Sequence, residues 1–163
     1  MKNLTKKEIF DYYYSCFVKV DGLWFMKVEE KYGFAEALAI DEEVWKVLPK
    51  IQARFLKEKF TAKNYNNETD LFANSIKSKL ELDKYSYTLK KLKDRLILNI
   101  SECPWHNILI KSKREELSEK IGGVICKIEY SVFAEEFNYS CAINTENRIC
   151  KNGKNCEFYF NKI

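Results

Sequence analysis

Tyr85-Ser86-Tyr87-Thr88-Leu89-Lys90 and Arg95-Leu96-Ile97-Leu98-Asn99-Ile100 are the stretches whose reading decides the fold. In both, apolar and polar residues alternate at the period of a strand with one buried face. Residues 91–94 give a polar connection of hairpin length between them. Upstream of residue 85 this alternation is absent and a helical period takes its place.

Residues 5–20 read as an amphipathic helix with Thr5 as N-cap and Ile9, Phe10, Tyr13 and Phe17 on one side. Asp21-Gly22 is expected to break it, and a second helix then runs from Leu23 to Gly33, a natural residue to follow a helix end. Residues 34–40 form a short helical segment. Asp41 is expected to cap a longer helix through Trp45, Leu48, Ile51 and Phe55, with Pro49 marking a kink or a join. After a polar break at residues 64–67, residues 68–80 place Leu71, Phe72, Ile76 and Leu80 on one helical face.

Downstream of the two strands, Cys103-Pro104 ends the second. Residues 106–120 read as helix, Gly122-Gly123 as a break, and residues 124–137 as a further helix with Ile125, Ile128, Val132, Phe133 and Phe137 inward. Residues 139–149 and 156–162 alternate as a last strand pair. The whole is an α+β fold, in which a helical N-terminal half precedes a small antiparallel β-sheet with helices packed on one face. We read residues 1–163 as a single domain, mostly helical over 1–80, with the sheet, further helices and a cysteine cluster over 81–163.

Hydrophobic residues make up 46% and charged residues 32% of the 163-residue chain, the balance of a chain that can bury a core. The opening Met-Lys-Asn-Leu-Thr-Lys-Lys-Glu lacks the apolar core of a signal peptide, and no apolar run approaches the roughly 20 residues that span a bilayer. These features read as a cytoplasmic protein with no membrane partner. The net charge of +4 is mild, and the basic residues are interleaved with acidic ones. Glu29-Glu30 and Asp41-Glu42-Glu43 would repel phosphate, which argues against direct nucleic-acid binding.

Five of the six cysteines fall in the last third of the chain: Cys103, Cys126, Cys141, Cys150 and Cys156. Thiols gathered in an intracellular chain hold metals or do redox chemistry more often than they form disulfides. Cys126 also reads as a small core residue on a helix face, Cys150 and Cys156 as a hairpin disulfide, and Cys16 as core. His106, the single histidine, follows Cys103-Pro-Trp and could serve as a metal ligand or as a base for Cys103. Trp24, Phe25, Trp105 and His106 are the candidate lining of an apolar pocket. Glu129 and Glu135-Glu136 read as a solvated helix face. There is no Gly-rich phosphate loop.

Asp21-Gly-Leu-Trp-Phe-Met-Lys-Val-Glu-Glu-Lys-Tyr-Gly33 with Ala37-Leu-Ala-Ile-Asp-Glu-Glu-Val-Trp45, and Cys103-Pro-Trp, Cys126-Lys-Ile-Glu-Tyr-Ser-Val-Phe-Ala-Glu-Glu-Phe137 and the closing Cys150 with Cys156-Glu-Phe-Tyr-Phe160, resemble the vinyl-4-reductase domain family of prokaryotes. That group includes chains named after L-2-amino-thiazoline-4-carboxylate hydrolase. The resemblance covers about residues 20–160. It implies an α+β module, often a homodimer, that binds a small apolar or aromatic molecule. It also implies a zinc site of three cysteines and a glutamate. The matching thiols are Cys126, Cys150 and Cys156. The glutamate position falls on Asn147, next to Glu146, so Cys103 is taken as the fourth ligand, with Cys141 and Glu146 as alternatives. The alternative function the resemblance carries is a hydrolase of a small C–N or C–S heterocycle.

Overall fold

The computed structural model describes residues 4–63 and 67–163, and the chain divides into two compact units, Met1–Glu43 and Val44–Ile163. In the first unit a single helix, α1 (Lys6–Tyr32), runs 27 residues. Thr5 starts it with a reciprocal cap: its Oγ1 accepts from the Glu8 amide at 3.2 Å, and the Glu8 carboxylate accepts from the Thr5 amide at 2.7 Å. The break expected at Asp21-Gly22 does not occur. One interior glycine costs a helix only about 1 kcal/mol, and good helix formers on both sides outweigh it. The helix stops at Gly33, whose φ of 92° suits a residue without a Cβ.

Helix α2 (Phe34–Trp45) follows, with Asp41 inside it rather than capping the next helix. The chain is re-aimed at residues 46–47, and α3 (Leu48–Thr61) begins with Pro49 in its first turn, where a missing N–H goes unneeded. Pro49 thus marks a join, not a kink. Of the polar break read at 64–67, only Asn67 lies among the described residues. Its side chain caps α4 (Glu68–Leu82) by accepting from the Thr69 and Asp70 amides.

The sheet contains β1 (Ser86–Lys91), β2 (Arg95–Glu102), β3 (Tyr139–Ile143) and β4 (Cys156–Lys162), in the order β1-β2-β4-β3 with every neighbouring pair antiparallel. Register sets one face: Leu96 stands opposite Phe160, Leu98 opposite Phe158 and Ile100 opposite Cys156. All six are buried, as period-2 alternation demands. Against them pack α4 and α6 (Ser118–Glu135), with α3 beside both. The centre is aromatic. Phe72 meets the Phe137, Tyr139 and Phe160 rings at centroid distances of 5.2, 4.6 and 5.2 Å, and Tyr130 meets Phe158 at 4.1 Å.

Between β2 and β3 the boundaries differ from expectation. Helix α5 (Pro104–Lys111) is short, and the chain turns at Lys113, which has a φ of 59°. Helix α6 then passes through Gly122-Gly123 without a break. The α+β architecture, with its helical N-terminal half and helices on one face of a small antiparallel sheet, stands.

Candidate functional site

Four thiols are carried to one end of the sheet by different elements. Cys103 lies between the end of β2 and the start of α5. Cys126 is on α6, Cys150 is in the short 3-10 turn Ile149–Lys151, and Cys156 opens β4. All are free thiols. The loop of residues 144–155 is held by its own side chains. Asn147 Oδ1 accepts from the Lys154 amide at 3.1 Å, Asn147 Nδ2 donates to Asn155 Oδ1 at 2.7 Å, and the Gly153 amide donates to the Arg148 carbonyl at 2.8 Å. Asn147 is therefore a loop staple.

Arg148 is the residue that the sequence reading missed. It is buried, Nη2 donates to the Gly122 carbonyl at 2.7 Å, and Nε has no hydrogen-bond partner. A Cβ placed on Gly122 would stand 3.5 Å from Cys126 Sγ, 3.5 Å from Cys150 Sγ and 3.6 Å from Arg148 Nη2. Gly122 thus leaves open a small cradle bounded by two sulfurs and a guanidinium. Cys156 Sγ accepts from the Ile149 amide at 3.4 Å.

Burial pushes the Cys103 thiol up to about 11, with the Trp105 and His106 amides pulling the other way. Burial also raises Cys126 well above the ordinary thiol, and Cys103 and Glu129 nearby add to the effect while Arg148 opposes it. Cys150 is raised by burial as well, again against Arg148. Cys103, Cys126 and Cys150 therefore rest protonated at neutral pH, and Arg148 would feel the charges of Cys126 and Cys150 once formed. Among the described residues no group of three or more His, Cys, Asp or Glu side chains is set to hold a metal ion. Cys141 stands apart on β3. Burial lifts its thiol to about 12, and Ser131 is its hydrogen-bonding neighbour. Glu146 is exposed in the loop, its amide bound to Asn144 Oδ1.

Next to the thiols lies a second buried polar group. Lys79 of α4 donates to Glu129 of α6 and, at 2.8 Å, to Asp83. Lys79 is 2% and Glu129 3% exposed, so Glu129 is not on a solvated helix face. Burial works against the Lys79 ammonium, but Glu129 and Asp83 outweigh it and hold its pKa above the ordinary lysine value. Burial lifts the Glu129 carboxyl, opposed by Lys79. The Tyr130 ring lies 5.8 Å from Lys79 Nζ, and its hydroxyl is buried without a partner. Beside this group opens a cleft of about 90 Å³, lined by Gln52, Phe55, Leu56, Lys79, Leu82 and Asp83. Gln52 Oε1 is buried there without a hydrogen-bond donor.

The four residues expected around a ligand are divided between the two units. Trp24 is exposed on α1 and Phe25 meets Phe34 edge-on at 5.9 Å, both in the first unit. Trp105 meets Trp45 edge-on at 6.0 Å, and His106 Nδ1 bonds Ser118 Oγ at 2.8 Å, both in the second. His106 is thereby tied to the start of α6. No helix among the described residues is long and apolar enough to cross a membrane.

The class the structure defines is an α+β protein with a small four-stranded antiparallel sheet. The chain belongs to the family of unknown function DUF6125, whose sequence model matches residues 2–162. No curated protein matches it.

Proposed function

We propose that this protein is a small-molecule binding module of the vinyl-4-reductase type, working as a homodimer in the cytoplasm, with a structural zinc bound by Cys103, Cys126, Cys150 and Cys156. What supports the reading is that Cys126, Cys150 and Cys156, from a helix, a loop and a strand end, lie near Arg148, with Cys103 near Cys126 and Cys156. The donor set suits zinc, because soft sulfur ligands and a tetrahedral shell are what it prefers. Binding would deprotonate the thiols, and Arg148 already stands where the counter-charge to thiolates is needed. The metal would tie β2, α6 and the 144–155 loop together and so brace the core.

The cleft between α3 and α4 is the ligand site we favour. Its walls, Phe55, Leu56 and Leu82, are apolar, and Gln52 Oε1 offers an acceptor still without a donor. The ligand would be a small apolar molecule with one hydrogen-bond donor. The alternative, hydrolysis of a small heterocycle through Cys103, ranks second. A thiol pushed up to about 11 is a weak nucleophile at neutral pH.

Metal content by plasma mass spectrometry, on protein purified without added metal, tests the zinc assignment. The expected result is about one zinc per chain, with Cys150→Ser and Gly122→Ala both losing it. Gly122→Ala separates metal loss from misfolding. Its Cβ makes only ordinary contacts in the protein without metal but fills the cradle. Wild-type protein without metal, or a Gly122→Ala variant that keeps it, would overturn the assignment.

A further inference from the structure

Helix α1 has two unlike faces. Tyr14, Ser15, Val18, Gly22, Phe25 and Val28 are covered or half covered. On the other side Ile9, Tyr13, Cys16, Val20 and Leu23 recur at intervals of four, three, four and three residues, the spacing of a coiled-coil seam. That seam is open: Ile9 is 42%, Tyr13 67%, Val20 65% and Leu23 55% exposed, and Cys16 is exposed too. Tyr12, Phe17 and Trp24 flank it and are themselves exposed. A helical face this apolar, sustained over four turns, is not left to water without a partner.

We propose that this seam docks on the same seam of a second copy, as an antiparallel helix pair whose two-fold axis passes beside Cys16. Three features select that occupant. The seam is nearly symmetric about Cys16, with Ile9 and Leu23 each seven residues away, so an antiparallel copy sets Ile9 against the partner's Leu23, Tyr13 near the partner's Val20, and Cys16 against the partner's Cys16. The exposed apolar side chains offer on the order of 700 Å² per copy, close to what a stable dimer buries on each side. Antiparallel pairing also sets the opposite ends of the two helix dipoles beside each other. The inference rests on the homodimer proposed above and names its interface.

The test uses the full chain. Sedimentation equilibrium should show a dimer, and Val20→Glu should raise its dissociation constant about 100-fold or more, with an unchanged circular dichroism spectrum. A short bis-maleimide should link Cys16 to the partner's Cys16, seen as one crosslinked peptide and lost in Cys16→Ser. In a Cys16→Ser background, Ile9→Cys and Leu23→Cys chains should crosslink when mixed and neither alone. A wild-type monomer would overturn both this proposal and the homodimer. A dimer indifferent to Val20→Glu, with no Cys16 crosslink, would overturn the seam alone. Crosslinking of Ile9→Cys chains to each other would overturn the antiparallel arrangement.

Discussion

Lys79 and Glu129 carry opposite charges through a place where neither would be tolerated alone. The pair is nearly solvent-free, so its Coulomb attraction mainly offsets the cost of desolvating both groups. Removing one partner exposes that cost. Lys79→Met is expected to destabilise the protein by about 3–5 kcal/mol, because Glu129 is then buried unpaired. Lys79→Met combined with Glu129→Leu should recover most of the loss, since Asp83 is partly open to water. Urea midpoints for the two single variants and the double variant would decide it, and additive losses would show that the two residues do not act as a pair. Both residues were legible as positions, though not as charges. Lys79 falls on the stripe of Phe72 and Ile76, and Glu129 falls four residues after Ile125 and four before Phe133. Period alone places them inward, but the ordinary expectation for a charged residue places them outward, and only the fold brings each its counter-ion.

At the scale of elements, the loop of residues 144–155 depends on one glycine. A Cβ on Gly153 would stand 2.4 Å from Asn147 Oδ1 and 2.6 Å from the Arg148 amide nitrogen. Backbone cannot yield as a flexible side chain would, so Gly153→Ala should cost about 1–3 kcal/mol and free the loop that holds Cys150. A thermal midpoint equal to wild type would refute that. Helices α3 and α6 are joined by Arg54, whose Nε and Nη2 each donate to a different Glu136 carboxylate oxygen at 2.9 Å. The hydrogen bonds from Arg54 lower the Glu136 pKa from its ordinary 4.5. A carboxyl lowered on folding adds stability above its unfolded pKa and loses it as pH falls through the folded one. The difference in melting temperature between wild type and Arg54→Ala should therefore be fully present above the ordinary carboxyl pKa of 4.5 and shrink as pH falls below it. Arg54 is largely exposed, so solvent screens the pair and the contribution is small. A difference that grows toward acid would show the sign to be wrong. The strands and helix α4 were readable because alternation and capping are local. The glycines of α1 and α6 misled because a helix tolerates glycine wherever its neighbours favour the helix. The thiol set was readable by residue type, whereas Arg148 had no local signal at all.

At the scale of the whole molecule, stability is unevenly distributed. The aromatic core lies within Val44–Ile163, on the buried face of β2 and β4 under α4 and α6. In α1, Val28 is the residue buried within the helix. Opening free energy follows buried apolar contact, so the amides of β2, β4, α4 and α6 should exchange with solvent most slowly and α1 much faster. Mass action adds a second signature. A helix that is covered only in a dimer gains protection with protein concentration, while a core complete within one chain does not. Hydrogen exchange at about 1 µM and about 100 µM should therefore slow the amides of α1 and leave those of the sheet unchanged. Equal slowing in both units would mean that dimerisation reaches the sheet as well. No slowing in α1 would mean that no second copy covers its open face, and that the seam of Ile9, Tyr13, Cys16, Val20 and Leu23 is not the dimer interface.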